Sequence, residues 1–204
     1  MAKVYAFEGV IPVVDPAAFV HPDAVLIGDV IIGARCYIGP GACLRGDFGR
    51  IHIETGANIQ DNCVLHSFPA AEVWVGPGGH IGHGAILHGC RVGANALVGM
   101  HAVLMDGAEV GPNAFVAALA FVKSAQLIPA NALFAGQPAR LVRYLTEDEV
   151  AWKSRGTGLY QELASRCLQG LEAVAPLIAV EPARARTRWP EQPNKPPPTV
   201  KPQP

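Results

Sequence analysis

From Val20 to Phe134 the chain advances in blocks of six residues, each led by a large apolar side chain. The leaders run Val20, Leu26, Ile32, Ile38 and Leu44, then Ile53, Ile59 and Leu65 after three extra residues. A four-residue insertion precedes Val75, Ile81 and Leu87; one step then shortens to five. The series continues through Val92, Val98, Leu104, Val110, Val116, Val122, Ile128 and Phe134. Turn-prone residues such as Pro22, Gly28, Pro40 and Pro112 stand two places after leaders, and small residues such as Ala24, Cys36, Ala57 and Ala85 four places after. With 22 Gly and 18 Pro in the chain, a helix cannot carry this pattern, because both residues break helical hydrogen bonding or rigidity. A six-residue period reads as a parallel β-helix, three rungs closing one triangular coil with the leaders inside. An antiparallel sandwich would have to hold the same register by coincidence.

The repeat assigns residues 1–140 to an all-β solenoid. Thr146 followed by Glu147, Asp148 and Glu149 reads as a helix start, acidic groups sitting on the positive end of the helix dipole. A break is expected at Gly156-Thr157-Gly158, then a second helical stretch to about Val174, so residues 141–175 form a helical cap. Residues 176–204 are rich in proline and read as a mobile, polyproline-like tail.

A net charge of −1 offers no bulk field for nucleic acid or anionic lipid. No apolar run is long enough to span a bilayer and no signal peptide is present, so a cytoplasmic protein is expected. Cys36, Cys43, Cys63, Cys90 and Cys167 form no C-x-x-C pair; they read as small core residues rather than a disulfide framework or a thiolate metal site.

Coil geometry then places the histidines. Leu65 and Leu87 take the same face of successive coils and stack at about 4.8 Å. His66 and His88, each one residue later, point outward and stack too. Two imidazole nitrogens on one tetrahedral metal lie roughly 3.3 Å apart, which adjacent strands can supply. Arg45, after Leu44, belongs to the same outward column. His83 lies across a corner, up to about 16 Å away along extended chain, and would reach the pair only from a neighbouring subunit under threefold symmetry. His21, His52 and His101 read as surface groups, and His80 as structural.

The stretches LRGDFGRIHIETGANIQDNCVLH and GHIGHGAILHGC, with VGMHAVLMDGAEVGPNAFVAALAFVKS, AGQPAR and LTEDEVAWK, closely resemble the γ-class carbonic anhydrase-like family of hexapeptide-repeat proteins. Within it they are most similar to the group of the phenylacetic acid degradation protein PaaY and its CaiE-type relatives, over about residues 5–185. The resemblance implies a left-handed parallel β-helix, a homotrimer, and a divalent metal (Zn²⁺, with Fe²⁺ or Co²⁺ as alternatives) held by His66 and His88 with His83 from the adjacent subunit. It places Arg45 and Asp47 in a salt bridge at the site, Gln60 against a metal-bound water, and Asn58 and Asp61 in support. One departure stands out: Phe48 occupies the place of an acidic residue in true anhydrases of this class. The loop of residues 67–79 carries a single carboxylate, Glu72. Phe48, Phe68 and Trp74 are expected to line an apolar mouth.

The resemblance implies metal-dependent hydrolysis of an acyl-CoA thioester from aromatic (phenylacetate) catabolism. CO₂ hydration ranks second, and a hexapeptide acyltransferase or a non-enzymatic scaffold stands behind both. A small-molecule substrate is expected, with neither nucleic acid nor membrane as partner.

Overall fold

A computed structural model describes residues 2–189; the expected tail from 190 onward lies outside the described residues. The chain winds into a parallel β-solenoid of about seven turns, followed by one helix. The leaders stack as read, in three columns. Leu26, Leu44, Leu65, Leu87, Leu104 and Val122 pair in register along one. Ile38, Ile59, Ile81, Val98, Val116 and Phe134 form the second, and Ile32, Ile53, Val75, Val92, Val110 and Ile128 the third. These side chains make one continuous core, with the small corner residues Ala24, Cys36, Ala57 and Cys63 beside them. The cysteines are free, and Cys36, Cys63 and Cys90 are buried.

Most rungs are strands of two residues, but Val25–Ile32 and Cys43–Ile53 run unbroken around a corner. They fuse two faces into a 12-stranded sheet, while the third face is a separate sheet of eight. At the other corners the chain turns through left-handed backbone, as at Asn62, Asn95 and Asn113, a conformation that asparagine tolerates better than most residues. The first coil starts earlier than Val20: Lys3–Tyr5 and Val13–Val14 pair in parallel with Val25–Ile32.

The far end differs from expectation. Arg140–Tyr144 is an antiparallel strand against Ala132–Ala135, so the coil closes by reversing its direction and the residues just after 140 belong to it. The expected pair of helices is one helix, Glu147–Gly170, and the stretch to Val174 is not helical. Its start is a full capping box between Thr146 and Glu149, reinforced by Arg143, whose guanidinium donates to Glu149 at 2.7 Å. Gly156 and Gly158 each cost about 1 kcal/mol relative to alanine, yet the helix runs through them because docking on the coil holds both sides. Lys153, Thr157 and Ala164 are its buried residues. No helix among the described residues is long and apolar enough to cross a membrane.

Lys153 anchors this docking without a carboxylate partner: Nζ donates to Gly78 O at 2.7 Å and to Asn95 Oδ1 at 2.9 Å. Burial pushes its amine down to about 7. The unfolded chain therefore binds more protons than the folded one between about pH 7 and the ordinary lysine range, and Lys153 makes stability rise with pH across that window. In urea denaturation from pH 6.5 to 9.5, the wild type should gain stability relative to Lys153→Met as pH rises; a constant difference would remove the assignment.

Candidate metal centre

His66 ends the strand Val64–His66 and His88 ends Ile86–His88; the two residues are paired in register on adjacent rungs. Their rings meet, with Nδ1 of His66 3.3 Å from Nε2 of His88. Each outer nitrogen is held by a carboxylate: His66 Nε2 by Asp47 Oδ1 at 3.1 Å, His88 Nδ1 by Asp106 Oδ1 at 2.7 Å. Those carboxylates accept, so the outer nitrogens carry the protons and two lone pairs face each other across the gap. Burial and the positive charge of Arg45 hold His66 below the ordinary histidine range, against the pull of Asp47. A neutral pair in this orientation repels unless a cation sits between, and the spacing matches the roughly 3.3 Å between nitrogens on one tetrahedral ion. The carboxylate-backed imidazole is also the arrangement that orients metal-ligating histidines. The residues fit a divalent metal of the zinc, iron or cobalt kind.

Asp47 is tied to Arg45 within the chain, 2.7 Å from its guanidinium. Burial works to raise the Asp47 carboxyl, but the bond and charge of Arg45, with His66, outweigh it and hold the group below its ordinary value.

His83 lies elsewhere, on the turn after His80–Ile81 in the eight-stranded sheet. It too is backed by a carboxylate, Nδ1 standing 3.1 Å from Asp61 Oδ2. Among the described residues, no group of three or more His, Cys, Asp or Glu side chains within one chain is placed to hold a metal. Gln60 does not turn to the histidine pair of its own chain; its amide nitrogen contacts Asn58 Oδ1 at 2.9 Å and His80 Nε2 at 2.7 Å. His21 and His52 keep local partners: His21 Nδ1 accepts from Asp23 N at 3.0 Å, and His52 faces Glu54.

Two of the three expected aromatics face the site. The Phe48 ring is 5.3 Å from that of His66 and the Phe68 ring 5.0 Å from that of His88; both are exposed. Trp74 is not part of this mouth. It pairs in register with Arg91 on another face, under the Arg91 guanidinium and 3.4 Å from Glu54. Glu72 is bound to Arg91 at 3.0 Å, so the loop offers no free carboxylate at the mouth.

Asp106 is the residue that the sequence reading missed. It sits 18 residues after His88, about one coil, and that interval was the available signal. Gly89 opens the space it needs, since a Cβ there would meet Asp106 Oδ1 at 2.5 Å.

Residues 12–46 match the bacterial transferase hexapeptide (six repeats) family. The chain is 55% identical over 184 residues to the carnitine operon protein CaiE of Salmonella newport, covering 90% of this chain and 93% of that protein. Among solved structures, a hexapeptide transferase family protein from Anaplasma phagocytophilum superposes with a TM-score of 0.77 at 36% identity, over 80% of this chain and 96% of the other. A Bacillus cereus protein provisionally titled an acetyltransferase gives 0.79 at 31% identity, over 82% and 98%.

Removing the carboxylate behind His88 should weaken metal binding while the coil stays folded. Asp106→Asn is expected to lower zinc affinity by about 10–100-fold, read by competition with a chromogenic chelator. Unchanged affinity would show that Asp106 does not orient a ligand.

Proposed function

Because the chain belongs to the hexapeptide-repeat family of the CaiE proteins, we propose that it is a metal-dependent hydrolase of acyl-CoA thioesters, with each site completed between two subunits of a homotrimer. The observation that carries this reading is the His66–His88 pair, its unprotonated nitrogens 3.3 Å apart and its outer nitrogens fixed by Asp47 and Asp106. A divalent metal held there supplies Lewis acidity and a water activated at neutral pH.

The chain's own residues do the rest. Asp47 and Asp106 keep both rings in the ligating tautomer, and Arg45 keeps Asp47 ionised. His83, with its ring held by Asp61, is the third ligand from the neighbouring subunit. The sheet that carries the pair also carries an apolar column beside it: Cys43, Val64, Ile86, Val103 and Phe121 are in mutual register, and Val64, Ile86 and Phe121 are exposed in one protomer. A second copy covering that column satisfies it and brings a His83 toward the pair. Phe48 and Phe68 receive an apolar acyl group, and the thiolate of CoA leaves without needing a strong acid. Phenylacetyl-CoA and related aromatic thioesters suit this mouth; the similarity to a carnitine operon protein makes carnitine-related acyl-CoA the other candidate class. CO₂ hydration fits less well, because Phe48 and the Arg91-bound Glu72 leave no carboxylate to carry protons away.

Acyl transfer is a second reading, supported by the similarity to a hexapeptide transferase family protein and to a protein described as an acetyltransferase. It uses the same acyl donor with an acceptor in place of water. The test is metal analysis of the purified protein combined with CoA-thioester turnover, with and without amine and alcohol acceptors. Hydrolysis that disappears on chelation and returns with zinc is expected; turnover only with an acceptor would establish the transferase.

His66→Ala, His83→Ala and His88→Ala should each abolish hydrolysis in folded protein. Mixed trimers of His66→Ala and His83→Ala subunits should regain part of it, since some interfaces then hold an intact set. An absence of complementation would place His83 outside the site. Phe48→Glu should weaken use of phenylacetyl-CoA and raise any CO₂ hydration in weak buffer; no change in either assay would take Phe48 out of the mouth.

A further inference from the structure

The two ends of the coil are finished differently. At the far end Arg140–Tyr144 folds back antiparallel on Ala132–Ala135, and the last leaders, Val122, Ile128 and Phe134, are buried. At the near end nothing reverses. Lys3–Tyr5 and Val13–Val14 pair only with Val25–Ile32, and Phe19–Val20 is the terminal strand of the eight-stranded sheet, so each of the three leaves one edge open. The leaders of this first coil are uncovered as well. Val4 is 45% exposed, and Val14 and Val20 are only partly buried. Leu26, Ile32 and Ile38, which lie in register beneath them, are sealed. The open leaders face an apolar depression of about 610 Å³, walled on one side by Leu168 and Leu171 at the C-terminal end of the helix. A solenoid end with bare core residues and free strand edges needs a cover.

A second apolar feature stands at the same end. After the helix, residues 171–189 leave its last turn and come back to it. Leu171 N donates to Cys167 O at 3.1 Å, and Arg166 donates to Arg188 O at 3.1 Å, its guanidinium 4.4 Å from the centre of the Trp189 ring. Between these two feet Val174, Leu177, Ile178 and Val180 are all exposed, Ile178 completely. With Ile11 and Val13 on the first coil, also exposed, and the lip of the depression, these side chains present on the order of 900 Å² of apolar surface. That exceeds the ~300–600 Å² of the largest patch on an ordinary monomer and matches the ~800 Å² that each partner gives to a specific interface. Charge is complementary too. The loop returns through exposed Arg184, Arg186 and Arg188, while Glu8, Asp15 and Asp23 stand on the first coil, Asp23 already 4.0 Å from Lys3. A subunit docked on the flank column of Val64, Ile86 and Phe121 does not cover a surface that faces along the coil axis.

We propose that the near end of the coil is a two-fold interface between copies of this chain, in which residues 174–180 of each copy lie on the open first coil of the other. A second copy supplies both halves of the contact: an apolar loop for the depression and a basic foot for the acidic rim, each used twice. The capped far end blocks head-to-tail stacking, so the contact is self-complementary and closes. Three coils side by side present three such ends on one face, and a second trimer placed head to head covers them all, giving six chains. The factor of three rests on the homotrimer reading; the doubling does not.

The test is the mass of the full-length protein in solution, by light scattering after gel filtration. The wild type should have twice the mass of Ile178→Asp and of Ile11→Asp. Both positions are exposed in the single chain, so neither change removes a core residue, and both variants should keep the circular dichroism of the wild type. On the trimer reading the masses are those of six chains and of three. Removal of residues 190–204 should leave the doubled mass intact. A wild type with the same mass as either variant, at tens of micromolar, would overturn the interface. Loss of the doubling on removal of residues 190–204 would overturn the assigned occupant, making that tail the contact. A ratio of two built on a unit other than three chains would sink the trimer and leave the two-fold contact standing.

Discussion

The stacking of parallel rungs is the constraint on which every other feature depends. In a coil whose leaders must point inward, the side chain after each leader must point outward, and its neighbours above and below follow from the register. Leu65 over Leu87 therefore puts His66 against His88. A slip by one residue would place an imidazole in the core and a leucine in water, so the aliphatic columns that stabilise the fold also hold the two imidazoles together. Departures from the six-residue period fall beside the site: extra residues carry Asp47 and Phe48, the insertion carries Phe68, and the shortened step contains Gly89, which makes room for Asp106.

The electrostatics of the site follow one device used three times. His66, His83 and His88 each give one ring nitrogen to a carboxylate, from Asp47, Asp61 and Asp106. That fixes the proton on the outer nitrogen and leaves the other as a lone pair. His80 differs because its neighbours are carboxamides, which can donate or accept. Burial holds its ring neutral.

The helix joins these parts. Tyr160 covers His80, and Gln161 accepts from Arg35 and donates to Gly56 O at 3.1 Å. Lys153, four residues after the capping-box Glu149, reaches into the coil at Gly78 and Asn95. The same packing that lowers the Lys153 amine also keeps water from the Asn58–Gln60–His80 triad. A helix loosened at Lys153 would therefore disturb that network.

The sequence by itself determined the coil, its register, the stacking of His66 and His88, and the remoteness of His83, because a period of six with inward leaders leaves little freedom in what lies over what. Resemblance to a family implied a ligand set, a trimer and the candidate roles of Asp47, Gln60 and Asp61. Only the tertiary structure decided the rest. Asp106 was missed because the shortened step after Leu87 obscures the one-coil interval that links it to His88. Trp74 left the expected mouth because its strand belongs to another face. Gly156 and Gly158 read as a break because local propensity sees two glycines, while docking of Lys153, Thr157 and Ala164 on both sides holds the helix through them. Gln60 was expected against a metal-bound water; within its own chain its amide nitrogen lies 2.7 Å from His80 Nε2, a neighbour that only the coil brings beside it.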